Sequence, residues 1–182
     1  MNEILEQPVT NVTVTTDSVA NIRRIVVPVD LSAQSERTAA YAVALAKKLG
    51  ASITFVHVFP TEAISLFTAQ DGLETYERER DARKKELARF VGKIRGTYSR
   101  CDTEFRIGDA AEETNLAATE ARADLIIAAT YHPGLLGRLF GLGNAQRIVK
   151  QATCPVLVLK DIIGTASAAQ RSIFGRLWAR EA

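Results

Sequence analysis

Residues 124–160 read DLIIAATYHPGLLGRLFGLGNAQRIVKQATCPVLVLK. The apolar run Leu125 to Ala129 predicts a buried strand. A loop holding Gly134, Gly137, Gly141 and Gly143 follows, then a helical pattern from Asn144 to Gln151 and a second buried strand from Pro155 to Leu159. Short apolar runs on either side of a helix predict parallel strands covered on both faces. A glycine-rich loop that leaves the carboxyl end of such a strand and opens a helix is where open α/β sheets hold phosphate. Whether this loop can still do so decides the functional reading.

The same alternation extends toward the N-terminus. Ile22 to Val29 (IRRIVVPV) is a β-branched run, and Pro28 near its end demands a position where no ladder donor is needed. Asp30-Leu31-Ser32 then opens a helix with Ala42, Leu45, Ala46 and Leu49 on one face, closed by Gly50. Ser52 to Phe59 is the next strand. Asp71-Gly72 marks a turn into a long helix with Leu73, Tyr76, Leu87, Phe90, Val91, Ile94 and Tyr98 on one side. Within it, Glu77 to Glu86 is almost wholly charged with alternating sign, which predicts a solvated face laced by i,i+4 pairs. Asp102 to Ile107 is a strand of alternating character, the third in chain order, and Asp109 with Glu112 predicts a capping box for a helix reaching about Arg122. Strands and helices alternating in this order, with right-handed crossovers, give an α/β fold with a doubly wound parallel sheet.

Composition sets the outer limits. At 182 residues, 47% hydrophobic and 24% charged, the chain is long enough for one globular domain with tails. A net charge of +2 lacks the basic excess of a nucleic-acid protein. Cys101 and Cys154 are far apart and outside any zinc or C-x-x-C spacing, so neither a disulfide framework nor a metal site is indicated. The N-terminus has no basic start or apolar core of a signal peptide, and no apolar run reaches about 18 residues. A soluble, cytoplasmic protein is the expectation.

Residues 1–21 read as a tail outside the domain. Beyond Lys160, residues 161–182 form an extension in which Ile173, Phe174, Leu177 and Trp178 fall on one side of an amphipathic helix with arginines beside them.

Several chemistries are excluded. No glycine precedes a lysine at Walker-loop spacing, and the nearest dinucleotide fingerprint, Gly141-Leu142-Gly143, has Gln146 where its third glycine should be. His57 and His132 are the only histidines, too little material for a nucleophile triad or a metal centre. No catalytic residue and no metal ligand is assigned, and enzymatic activity is not expected.

Five segments together resemble the universal stress protein (UspA-like) family. They are Arg24 to Ser32 (RIVVPVDLS), Ile53 to Val58, Ile107 to Glu112 (IGDAAE), Ala123 to Ile127 (ADLII) and Cys154 to Val158 (CPVLV), in the family's order and spacing over residues 22–160. The resemblance implies a five-stranded parallel sheet of order 3-2-1-4-5, of the adenine-nucleotide alpha-hydrolase-like type. It also implies a homodimer joined through the last strand, here 155–159, and in one branch an ATP site.

That branch resembles G-x-x-G, nine residues, then G-[ST], after the fourth strand. Counted back from Cys154-Pro155, these positions fall on Ala129, His132, Leu142 and Gly143. A shift by one residue pairs Gly143 with Asn144 but puts Thr130 and Pro133 in the first two places. The loop is degenerate in both registers. Losing two charge-assisted phosphate contacts at ~1.5–3 kcal/mol each weakens ATP by about 10²- to 10⁴-fold. The adenosine side is better kept: the resemblance implies that Asp30, after Pro28 and Val29, meets the adenosine end and that the Val58 backbone meets the base. At Asp30 a helix-capping role competes with this. The candidate nucleotide-binding set is therefore Pro28, Val29, Asp30, Val58, Ala129, Thr130, Gly141, Gly143 and Asn144.

The expectation is a cytoplasmic stress-response or regulatory homodimer that requires no cofactor and binds ATP weakly or not at all. One alternative is an ATP- or AMP-binding member with at most slow hydrolysis. A second is a module that docks a protein partner through residues 170–180. No nucleic-acid or membrane partner is expected.

Overall fold

The computed structural model describes residues 21–61, 72–130 and 144–160. The glycine loop after residue 130 and the helix expected at 170–180 lie outside the described residues. The elements in chain order are β1 (Arg24–Pro28), α1 (Ala33–Leu49), β2 (Ser52–Phe59), α2 (Gly72–Arg95), β3 (Cys101–Ile107), α3 (Ala110–Glu120), β4 (Leu125–Thr130), α4 (Asn144–Gln151) and β5 (Val156–Lys160). All pairings are parallel, in the order β3-β2-β1-β4-β5. The doubly wound sheet of order 3-2-1-4-5 is thus the architecture found.

Each strand divides its side chains between two layers because successive residues face opposite ways. Ile25 and Val27 of β1, Ile53 and Phe55 of β2 and Leu125 and Ile127 of β4 pack with Ala42, Val43 and Ala46 of α1 and Leu87, Phe90, Val91 and Ile94 of α2. Phe55 and Phe90 meet edge to face, with centroids 5.9 Å apart. Val26, Val56, Ile126 and Ala128 face the other way, against Ala111, Ala117 and Ala118 of α3 and Ile148 of α4. β1, in the centre, is fully buried over Ile25 to Val27.

Two glycines have conformational reasons. Gly50 ends α1 in the left-handed region (φ 67°), where a side chain is strained. Gly108, at φ 152°, turns β3 into α3, and a Cβ there would stand 2.8 Å from the Glu113 Cγ. Asp109 caps α3 by accepting from the Ala111 and Glu112 N–H groups, both at 3.0 Å. The capping box is not completed, since the Glu112 carboxylate reaches Arg147 at 3.6 Å.

The structure corrects several sequence expectations. β1 begins at Arg24, two residues later than its apolar run suggests. Leu73 stands 73% exposed, and Leu49, in the last turn of α1, is also exposed, because helix ends project past the sheet they cover. Tyr98 lies beyond the end of α2 and donates its hydroxyl to the Ala51 carbonyl. The charged run within α2 is largely exposed, but its ion pairs are Arg83–Glu86 at i,i+3 (2.7 Å) and Arg80–Asp81 (3.1 Å) rather than i,i+4. β5 is not the buried strand its composition suggests. As the sheet's edge it has one neighbour, so Leu157 and Leu159 are half-buried and Val158 is exposed.

Candidate functional site

The site begins with a fork in the sheet. β1 pairs with β2 through five registered residues, but with β4 only through Ile25↔Leu125 and Val26↔Ile126. In a parallel strand, alternate residues bond to alternate neighbours. Val29 donates to Val56 of β2 (2.8 Å), and the Arg24 carbonyl accepts from Asp124 beside β4 (2.8 Å), so the odd residues of β1 serve β2 and the even ones serve β4. The next even residue is Pro28, which has no N–H to give. Pairing with β4 stops there, and a crevice opens at the carboxyl ends of β1 and β4, the point where the strand order reverses and open α/β sheets bind ligands.

Asp30 stands at the mouth, held by the first turn of α1. Its Oδ1 accepts from the Ser32 N–H (3.0 Å), the Ser32 hydroxyl (2.5 Å) and the Ser35 hydroxyl (2.5 Å). Its own N–H donates to Ser35 Oγ at 2.9 Å. Partial desolvation opposes ionisation, but the Ser32 and Ser35 hydrogen bonds outweigh it and hold the carboxyl below its ordinary range. All three bonds fall on Oδ1, leaving Oδ2 without a partner among the described residues. The helix cap is Ser32, whose side chain accepts from the Ser35 N–H, so Asp30 fixes the cap without being it. Between them Leu31 adopts φ 64°, a left-handed backbone that costs an L-residue about 1–2 kcal/mol. Such strain, kept where the hydrogen bonds around it dictate the turn, is common beside ligand sites.

Behind Asp30 lies a cavity of about 340 Å³. Pro28 and Val29 from β1, Val56, His57 and Val58 from β2, and Ala128 and Ala129 from β4 form its base. Gln34, Ser35 and Thr38 of α1 close one side, and Ala110 and Thr114 of α3 with Asn144, Ala145 and Ile148 of α4 close the other. His57 is buried, and its Nδ1 lies 2.8 Å from the Val29 carbonyl. A carbonyl only accepts, so Nδ1 carries the proton of a neutral ring. Burial lowers the His57 pKa and prevails over that hydrogen bond, which keeps the ring uncharged.

Of the nine residues nominated from sequence, Pro28, Val29, Asp30, Val58, Ala129 and Asn144 surround this one cavity. Thr130 ends β4 outside it, its hydroxyl donating to the Leu159 carbonyl at 3.4 Å. Gly141 and Gly143 lie outside the described residues. Sequence reasoning missed Gln34, Ser35, Thr38 and Thr114. A signal existed for two of them: Gln34 and Thr38 continue the buried i,i+4 stripe of Ala42 and Ala46, and polar residues on an inward stripe need a reason to be there.

Among the described residues, the lining carries no lysine or arginine. Arg147, next to the lining residue Ile148, is taken by Asp109 at 2.6 Å. The walls therefore offer uncharged donors and acceptors, one carboxylate and apolar surface, a set that suits a heterocycle and a sugar better than a polyphosphate. No group of three or more His, Cys, Asp or Glu among the described residues is placed to hold a metal ion. No helix among them is long and apolar enough to cross a membrane.

Comparison with known proteins agrees with this fold. A universal stress protein from Thermus aquaticus is 30% identical over 138 residues, covering 76% of this chain and 98% of that protein. The universal stress protein from Archaeoglobus fulgidus, solved in complex with dAMP, superposes with a TM-score of 0.55 at 21% identity, over 77% of this chain and 99% of that one. A universal stress protein family protein from Arabidopsis thaliana with AMP bound gives a TM-score of 0.54 at 18% identity, over 82% of this chain and 99% of that one. At such identities the two structures establish the shared fold. The model of the universal stress protein family matches residues 21–160, more than half of the chain, and the chain belongs to that family.

Proposed function

We propose that this protein is a regulatory, stress-responsive member of its family that binds adenine nucleosides and their monophosphates in the β1–β4 crevice and binds ATP weakly. The observation that carries the reading is the cavity itself, where six sequence-nominated residues converge on a sheet fork behind an ionised, locked Asp30. Its volume of about 340 Å³ lies at the small end of the range for ligand pockets, about 300–1,000 Å³. Relatives solved with dAMP and with AMP support the ligand class. The departures from the ATP motif at Ala129, His132 and Leu142 argue against tight triphosphate binding.

The proposal extends to a cytoplasmic homodimer joined through β5. Among the described strands, β5 pairs with β4 alone, with Val158 exposed and Leu157 and Leu159 half-buried, an edge that self-association across a two-fold axis would cover.

Calorimetric titration with AMP, adenosine and ATP tests the ligand assignment. AMP and adenosine are expected to bind. ATP with a Kd of about 1 mM would stabilise the fold by only ~0.4 kcal/mol at a concentration of about 1 mM. An ATP Kd of about 1 μM, tighter than that of AMP, would overturn the reading.

A further inference from the structure

Gln34 lines the cavity from the first turn of α1 and is only 8% exposed. Its Oε1 accepts from Arg37 Nε at 2.8 Å and from a second guanidinium nitrogen. A guanidinium can only donate, so the atom facing Arg37 is the oxygen and the amide has one orientation. The Nε2 has no hydrogen-bond partner among the described residues, yet it is not one of the buried polar atoms sealed away from contact. A side chain this buried, with its oxygen turned to Arg37 and a cavity on its other side, presents its N–H pair to whatever occupies the cavity. An unmet amide donor in an apolar wall is costly unless a ligand or water takes it up.

We propose that Gln34 is a specificity-determining residue of the site: its Nε2 donates to an acceptor atom on the nucleoside part of the ligand, and Arg37 is the positioning residue that prevents the amide from turning over. The inference rests on the nucleotide reading given above and deepens it. An amide free to rotate would satisfy a ligand donor or acceptor equally. With its oxygen fixed on Arg37, Gln34 accepts only a ligand that presents an acceptor. Asp30 Oδ2 is restricted in the opposite sense, since an ionised carboxylate only accepts. The cavity therefore holds a one-way donor in the first turn of α1 and a one-way acceptor just before it.

The test is calorimetric titration of the full chain with adenosine and with AMP, for the wild type, Gln34→Glu and Arg37→Leu, with thermal melting of each variant. Gln34→Glu keeps the side chain's shape and its contact with Arg37 as an i,i+3 ion pair, so the fold should be retained. It replaces the donor with an acceptor, and both ligands are expected to bind about tenfold more weakly or worse. Adenosine is the decisive probe, because it carries no phosphate for the new carboxylate to repel. Arg37→Leu frees the amide and is expected to weaken both ligands by a smaller factor, about two- to threefold, because the donor must then be oriented on binding. Wild-type affinity for adenosine in Gln34→Glu overturns the assignment of Gln34 while leaving the nucleotide reading in place. A loss confined to AMP reports charge repulsion alone and overturns it equally. Absence of adenosine and AMP binding in the wild type overturns both.

Discussion

At the scale of single residues, the site is a set of side chains whose freedom has been removed. Asp30 is pinned by two serine hydroxyls, Gln34 by an arginine and His57 by a main-chain carbonyl. His57 has a consequence in solution. Its folded pKa is lowered below the ordinary 6.5, first by burial, so between that value and the folded pKa the unfolded chain binds a proton that the native chain does not. Stability must therefore fall as the pH drops below about 6.5, and level off only below the folded value. In His57→Gln this component is absent, and the melting temperature of the variant should decline less steeply than that of the wild type between about pH 6.5 and 5. Parallel pH profiles would show that the ring is not held neutral. The sequence made part of this visible. A histidine inside an apolar strand suggests a satisfied structural role, which the bond to Val29 provides. Gln34 was legible only as a polar residue on an inward stripe, because a glutamine in the first turn of a helix otherwise looks like any solvated residue. Only the packing of α3 and α4 across the crevice shows that its side of α1 faces a cavity.

At the scale of elements, β3 and α3 are joined by an ion cluster that no sequence pattern announced. Arg106, with its side chain 12% exposed, donates to Glu104 (2.7 Å), Glu113 (3.2 Å) and Glu120. The participants lie 2, 7 and 14 residues away, a spacing set by a strand turning back into a helix rather than by any helical period. The cluster also adds a reason for Gly108: the Glu113 side chain that reaches Arg106 passes within 2.8–3.2 Å of where a Cβ would stand. Arg106→Met should leave three carboxylates facing one another. Breaking a buried pair costs about 3–5 kcal/mol, and because Glu120 is 57% exposed to solvent, a loss of about 2–3 kcal/mol is expected in urea denaturation at neutral pH. The deficit should shrink in high salt, which screens the three carboxylates from one another. A loss independent of salt would mean that packing of the arginine stem, and not its charge, is what matters. The regular elements were legible because their period is written in apolar residues; Gly50, Asp109 and the strand runs all stand where their chemistry places them. Exposure was not, since the apolar residues of β5 read like those of β4 until the sheet order puts one strand at the edge.

At the scale of the molecule, β5 is one of the two edges of the described sheet, the other being β3. Ile126 donates to the Pro155 carbonyl (3.0 Å), so residues 155, 157 and 159 serve β4, and by alternation Val156 and Val158 turn their backbone groups outward. Val158→Pro would then remove an edge donor while sparing the β4–β5 ladder. If the protein pairs through this edge, sedimentation velocity at micromolar concentration should give a dimer for the wild type and a monomer for Val158→Pro, with little change in far-UV circular dichroism. A wild-type monomer, or a dimer indifferent to the substitution, would remove β5 as the contact.

Pro28 bears on what selection for robustness would do to this protein. Any residue with an N–H at that position could bond to the Ile127 carbonyl and zip the two central strands one step further, a gain of about 0.5–1.5 kcal/mol. A screen that rewards heat resistance alone would favour such replacements, and each would draw closed the gap that a guest must enter. The most durable version of this sheet would be a sealed one, and the proline is what stops the chain from settling into it.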